Sequence, residues 1–218
     1  MKEASDAILR AEQARYLEAL EPARDPLLAA MEAHAASRKE PISDPEVASF
    51  LAVTARAIDA RFVVELGANI GYGAIVLARA ATRAHVHTIE KSAEVGARAR
   101  AFVKDAGLAE RITVEEGDAL ACLAAITKPI DLLYVDCVKE DYPRYLEVGA
   151  PKLSERGVIV ADNVLWKGHV ASADVPAHEE ARTAALRAFN RAIVGHPELR
   201  AVILPLGDGV AYAVRMPR

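Results

Sequence analysis

Hydrophobic and polar positions fall into two textures along the chain. Ala, Leu, Glu and Arg dominate residues 5–60, and Pro22, Pro26 and Pro41 punctuate them, which predicts a run of helices. Ser43-Asp44-Pro45-Glu46 reads as a helix start, with a capping residue, a proline near the first turn and an acid within it. From residue 62 onward, short apolar, β-rich runs appear at 62–66, 85–90, 111–115, 130–136, 157–161 and 201–206. Helical patterns at 71–83, 92–106, 118–126 and 139–153 separate the first five, and a further helix over 177–195 precedes the last. Strands alternating with helices imply right-handed βαβ units, hence an α/β fold with a mainly parallel, doubly wound sheet and helices on both faces. The closing stretch from Ile203 to Val214 reads as two strands around Asp208-Gly209, a hairpin that makes the last strand antiparallel. The expected organisation is a single domain, 1–218, with a helical N-terminal extension over 1–60 and an α/β core over 61–218.

Composition narrows the partners. Apolar residues make up 52% of the 218, ample for a folded core. The balance of 27 basic against 31 acidic residues, net −4, argues against a nucleic-acid footprint. Cys122 and Cys137 offer neither a disulfide framework nor a C-x-x-C metal pair. The leading residues 1–6 run into a charged, alanine-rich segment with no apolar leader and no membrane-length stretch, so the expected location is the cytoplasm, with no membrane partner.

The run from Phe62 to Gly73 is a buried strand entering a glycine-rich turn and then a helix. Such a turn brings backbone N–H groups close to a polar ligand at the positive end of a helix. Gly67 and Gly71 are spaced G-x-x-x-G, not the G-x-G-x-x-G that cradles a dinucleotide pyrophosphate. The loop points to a nucleoside ligand with a different polar tail.

In an open α/β sheet, ligands sit outside the carboxyl ends of the strands. The polar residues at those ends are Glu65 with Gly67, Glu90, Gly117-Asp118, Asp136, and Asp162-Asn163. Glu90 follows Gly67 by 23 residues, where an acid accepts hydrogen bonds from ribose hydroxyls; the alternative is an acid capping the helix after Ser92. Asp118 is either a helix N-cap or a residue placed near an adenine. Asp136, Asp162 and Asn163 offer hard oxygen donors suited to Mg²⁺, Ca²⁺ or Mn²⁺, with part of the shell left for substrate or water. The plainer alternative makes Asp162-Asn163 an ordinary strand-ending turn. Lys139, three residues after Asp136, is a general base if a nearby dication disfavours its ammonium form, or else an exposed helix lysine.

Three stretches together carry a resemblance: Val64-Glu65-Leu66-Gly67 through Gly71-Tyr72, the D-x-x-K-x-x-Y-x-x-Y pattern from Asp136 to Tyr145, and Asp162-Asn163-Val164-Leu165-Trp166-Lys167-Gly168-His169-Val170. The chain resembles the metal-dependent class I O-methyltransferases, the group of catechol and caffeoyl-coenzyme A O-methyltransferases, over about residues 36–215. The resemblance implies a Rossmann-like methyltransferase sheet with two cofactors, S-adenosyl-L-methionine and a divalent cation, magnesium first. It implies that Ser43, Glu65, Gly67, Ala68, Tyr72 and Gly73 hold the methionine part. Glu90 would take the ribose, with Asp118 and Ala119 beside the adenine. Asp136, Asp162 and Asn163 would hold the metal, with Asp136 also bordering the cofactor. Lys139 would deprotonate a small phenolic substrate, and Asn163 and Trp166 would touch it. Trp166 would form an apolar wall; plain core packing is the alternative.

Three departures stand out. Gly73 takes the place of a usual serine, Cys137-Val138 replaces Ala-Asp between the metal Asp and the Lys, and Pro41 stands near a usual methionine. Two other classes compete: a nicotinamide-dependent oxidoreductase, which the glycine spacing and the triad oppose, and a non-catalytic nucleoside-binding protein, which the retained Lys139 opposes. The N-terminal helices are expected either to cover the site or to form a homodimer interface.

Overall fold

The computed structural model describes residues 11–20 and 25–217. The helical expectation for residues 5–10 and 21–24, Pro22 included, and the charged character read at residues 1–6 lie outside the described residues. The N-terminal part supplies α1 (Ala11–Ala19), α2 (Pro26–Arg38) and α3 (Pro45–Ala57). Asp25 caps α2 by accepting from the Leu28 N–H at 2.9 Å, Pro26 occupies the first turn, and Lys39 ends the helix in left-handed backbone. Asp44 is the N-cap of α3 and Pro45 opens it; the Ser43 hydroxyl is used elsewhere, as described below.

The core alternates as the pattern predicts: β1 (Phe62–Leu66), α4 (Tyr72–Ala80), β2 (His85–Glu90), α5 (Ala93–Asp105), β3 (Ile112–Glu116), α6 (Ala119–Ala125), β4 (Ile130–Val135), α7 (Tyr142–Gly149), β5 (Leu153–Ala161), α8 (Glu180–Val194), β6 (Leu199–Leu204) and β7 (Val210–Arg215). Seven strands form one sheet in the order β3-β2-β1-β4-β5-β7-β6. All pairings are parallel except those of β7, which runs antiparallel to both neighbours. The connection between β6 and β7 turns through Gly207 and Gly209, both at positive φ.

Alternation along the central strands feeds two cores. Val63, Leu132 and Tyr134 join one face with Met31, Leu51 and Ile75 from the N-terminal helices and α4. Val64, Leu133 and Val135 join the other with Tyr142, Leu186 and Phe189 from α7 and α8. The largest boundary differences from the pattern lie at β5 and α7. β5 begins at Leu153, four residues early, and its register with β4 shifts near Ile130, where Gly157 lies against the Ile130 carbonyl. The helix expected over 139–153 is α7 with a 3₁₀ turn at each end, because Pro143 starts a fresh first turn and Pro151 stops the continuation. Among the described residues no helix is long and apolar enough to cross a membrane.

Candidate active site at the strand ends

After β1 the chain turns through Gly67 (φ 96°), Asn69 (φ 43°) and Gly71 (φ 85°) before α4 begins. A side chain on Gly67 would overlap the Asp136 backbone carbonyl, so the turn fits only glycine there. The N–H groups of Gly67 and Ala68 both donate to the Ile89 carbonyl, at 3.0 and 2.9 Å, which fastens the loop to the end of β2. Glu90 completes this attachment: Oε2 accepts from the Asn69 N–H at 3.0 Å and Oε1 from the Ser92 N–H at 2.9 Å. The cap of α5 is Ser92, which accepts from the Val95 N–H at 3.3 Å. Each Glu90 oxygen keeps acceptor capacity for a further donor.

The N-terminal segment closes over this loop. The Asn69 side-chain amide donates to the Pro41 carbonyl, Arg98 pairs with Glu40 at 2.8 Å, and the Tyr72 hydroxyl donates to Glu32 at 2.7 Å. Tyr72 is thereby buried against α2. Beneath the loop, Glu65 is buried and accepts from the Thr88 hydroxyl; burial pushes its carboxyl up to about 8. A Cβ on Gly73 would overlap Glu65 Oε1, so the expected serine gives way here to a glycine with a carboxyl in its space. Asp118 is the N-cap of α6, accepting from the Ala121 N–H at 3.0 Å, and Ala119 is the first residue of that helix.

The ladders of β1, β4 and β5 extend one residue past the strands. The Asp136 N–H donates to the Leu66 carbonyl and the Asp162 N–H to the Val135 carbonyl, each at 3.0 Å. Two carboxylates therefore leave adjacent strand ends. Asp162 is 2% exposed, and burial together with the Asp136 charge pushes its carboxyl up to about 8, opposed by Lys139. Asn163 follows in left-handed backbone (φ 58°), its N–H donating to Asp162 Oδ1 at 2.7 Å.

Lys139 stands in the 3₁₀ turn ahead of α7 and is 8% exposed, which excludes a solvated helix lysine. Its Nζ donates to Asp136 Oδ1 and to the Tyr142 hydroxyl, both at 2.8 Å, and Tyr142 donates to the Asp162 carbonyl at 2.9 Å. Trp166 sits at φ 48° with Lys167 at 54°, a backbone that costs energy in ordinary residues. Asp208 accepts from the Lys167 N–H at 2.7 Å, and the Trp166 indole donates to Glu179 at 3.0 Å. The Trp166 ring lies 6.0 Å from Lys139 Nζ.

Three participants escaped sequence reasoning: Thr88, Glu179 and Tyr134. The Tyr134 hydroxyl lies 2.8 Å from Ser43 Oγ and 3.4 Å from both Asp136 Oδ2 and Asp162 Oδ2. Its signal was a tyrosine in a central strand buried on both faces, where a hydroxyl must find a partner.

The residues fit a hard dication. Two carboxylates converge on one hydroxyl, one of them nearly sealed from water, and Lys139 pairs with the other. Among the described residues no group of three or more His, Cys, Asp and Glu could hold a metal.

Comparison with known proteins agrees with this architecture. The sequence model of a family described as O-methyltransferase matches residues 25–216. A catechol O-methyltransferase of Mycobacterium tuberculosis is 35% identical over 173 residues, covering 76% of each chain. A caffeoyl-CoA O-methyltransferase of Mesembryanthemum crystallinum is 29% identical over 177 residues, 77% of this chain and 70% of that one. Among solved structures, the O-methyltransferase of Bacillus cereus in complex with S-adenosylhomocysteine (SAH) superposes with TM-score 0.82 at 27% identity, over 94% of this chain and 97% of that one. The O-methyltransferase TomG of Streptomyces achromogenes, in complex with S-adenosylmethionine, gives 0.83 at 25%, over 95% and 100%. A glycine loop unsuited to a pyrophosphate thus meets relatives solved with S-adenosylmethionine or its demethylated product, and the chain belongs to the O-methyltransferase family as an S-adenosylmethionine-dependent enzyme.

Proposed function

We propose that this enzyme methylates one hydroxyl of a vicinal dihydroxy aromatic small molecule, with a divalent cation, magnesium first, held by Asp136, Asp162 and Asn163. The observation that carries the reading is the buried Lys139, paired with Asp136 at 2.8 Å and bordered by the Trp166 ring. The name of the 35%-identical catechol O-methyltransferase supports the same substrate class. The whole chain would act as one methyltransferase domain, its N-terminal extension covering the cofactor side.

When bound, the cation supplies Lewis-acid chemistry that lowers the pKa of a substrate hydroxyl and orients its neighbour. Lys139, in its neutral form, accepts that hydroxyl proton at Nζ. Tyr142 fixes the amine in place by its hydrogen bond. The phenolate oxygen then attacks the sulfonium methyl in line, an O–C bond forming as the C–S bond breaks and its electron pair stays on sulfur. Glu65, Gly67, Ala68, Tyr72, Gly73 and Ser43 line the methionine end, Glu90 accepts from the ribose, and Asp118 and Ala119 flank the adenine. Trp166, braced by Glu179, forms the wall beside the aromatic ring.

The test is SAH release with catechol as acceptor. Activity is expected with Mg²⁺ and is expected to vanish with excess EDTA or in Asp162→Ala. Full turnover in EDTA would remove the metal role.

A further inference from the structure

Tyr134 is the fully buried tyrosine at the end of β4, and no step of the proposed chemistry uses it. Its hydroxyl stands equally far, 3.4 Å, from one oxygen of Asp136 and one of Asp162, and 2.8 Å from Ser43 Oγ. The tyrosine hydroxyl is thus a proton donor within reach of both acids from a single atom. Ser43 completes the wiring: when its hydroxyl is the donor of that 2.8 Å bond, the phenolic hydrogen is free to face the carboxylates. The ring is equally fixed. It lies in the same buried core as Met31 and Ile75, and its edge approaches to within 3.5 Å of where a Cβ on Gly73 would stand. The same side chain therefore touches the floor of the glycine loop, the segment ahead of α3 and both acids.

We propose that Tyr134 is a positioning residue for the cation, holding the Asp136 and Asp162 carboxylates at a common spacing, and that Ser43 orients its hydroxyl for that task. This rests on the metal reading given above. A hydroxyl equidistant from two carboxylates ties both to one point, while Lys139 Nζ and the Asn163 N–H hold their other oxygens. Hydrogen bonds to ligating carboxylates typically tune metal affinity by about 10–100-fold.

The experiment is calorimetric titration of the full chain with Mn²⁺ alone, without methyl donor or acceptor, for the wild type, Tyr134→Phe and Ser43→Ala. Tyr134→Phe keeps the ring and is expected to weaken Mn²⁺ binding about tenfold. Ser43→Ala keeps the tyrosine hydroxyl and is expected to weaken it about threefold, a fraction of that effect. Near-ultraviolet circular dichroism of the metal-free proteins is expected to superpose. Equal Mn²⁺ affinity in the wild type and a folded Tyr134→Phe would overturn the role of Tyr134, and wild-type affinity in Ser43→Ala would overturn the relay. A wild type that binds no Mn²⁺ would overturn the metal reading itself and this inference with it.

Discussion

Replacing Lys139 by Met separates two functions of one amino group, a base when neutral and a competing charge when protonated. The side chain is 8% exposed, and its Nζ lies 2.8 Å from both Asp136 Oδ1 and the Tyr142 hydroxyl. A positioned general base is worth about 10²–10⁴ in rate, or roughly 3–5 kcal/mol of barrier at about 1.4 kcal/mol per decade. Turnover is therefore expected to fall by that factor. The metal responds in the opposite sense. Nζ competes for the carboxylate that would bind the ion, and two unit charges about 4 Å apart interact by about 1 kcal/mol even in water. Removing the lysine charge is expected to tighten Mg²⁺ binding by about fivefold or more. Stability should change little, because Asp136 retains 24% of its side-chain surface and can be hydrated once its partner leaves. The assay is SAH release under saturating catechol together with a Mg²⁺ titration. A turnover within tenfold of the wild type, or a weaker Mg²⁺ affinity, would refute the reasoning.

Other outcomes can be measured on the same protein. Glu65 holds its proton up to about 8 when folded against an ordinary 4.5, so the folded state binds more protons than the unfolded state between those values. Its stability contribution is thus present below about pH 4.5 and is lost as pH rises toward 8. In urea unfolding between pH 5 and 8, Glu65→Gln is expected to flatten this decline, and an unchanged slope would count against it. Gly67→Ala forces a Cβ into the Asp136 carbonyl at φ 96°, and the melting temperature is expected to drop by about 10 °C; a shift below about 2 °C would contradict the packing. Trp166 is the single tryptophan of the chain, and Glu179→Ala removes the acceptor 3.0 Å from its indole. Red-shifted emission and a severalfold higher KM for catechol are expected, whereas an unaltered spectrum would show that Glu179 does not brace the ring.

The strand and helix alternation was legible because each central strand is a continuous apolar run bounded by turn residues, as at Phe62–Leu66 and Ile130–Val135. The ends were less so: β5 starts at Leu153 because the sheet accepts polar Ser154, Glu155 and Arg156 at its margin, where no apolar signal marks them. The placement of Asp136, Asp162 and Lys139 together at the strand ends was legible from position alone, since Asp136 and Asp162 follow apolar strand runs and Lys139 comes three residues after Asp136. Lys139's burial could not, because it depends on Tyr142 and Trp166 closing around it in three dimensions. Tyr134, Thr88 and Glu179 were hidden for a related reason. Each acts through one polar atom on a residue whose surroundings in sequence look like ordinary core or helix.

The backbone contact between Gly67 and Asp136 limits how such a protein can diversify. With no room between the first and fourth strand ends, neither can be lengthened, shortened or tilted without disturbing the other. A lineage seeking new acceptors must leave that junction alone and vary what borders it: the exposed Val138 and the left-handed turn at Lys167-Gly168. The same constraint instructs a designer, for whom libraries confined to those two segments would change the acceptor while sparing the junction.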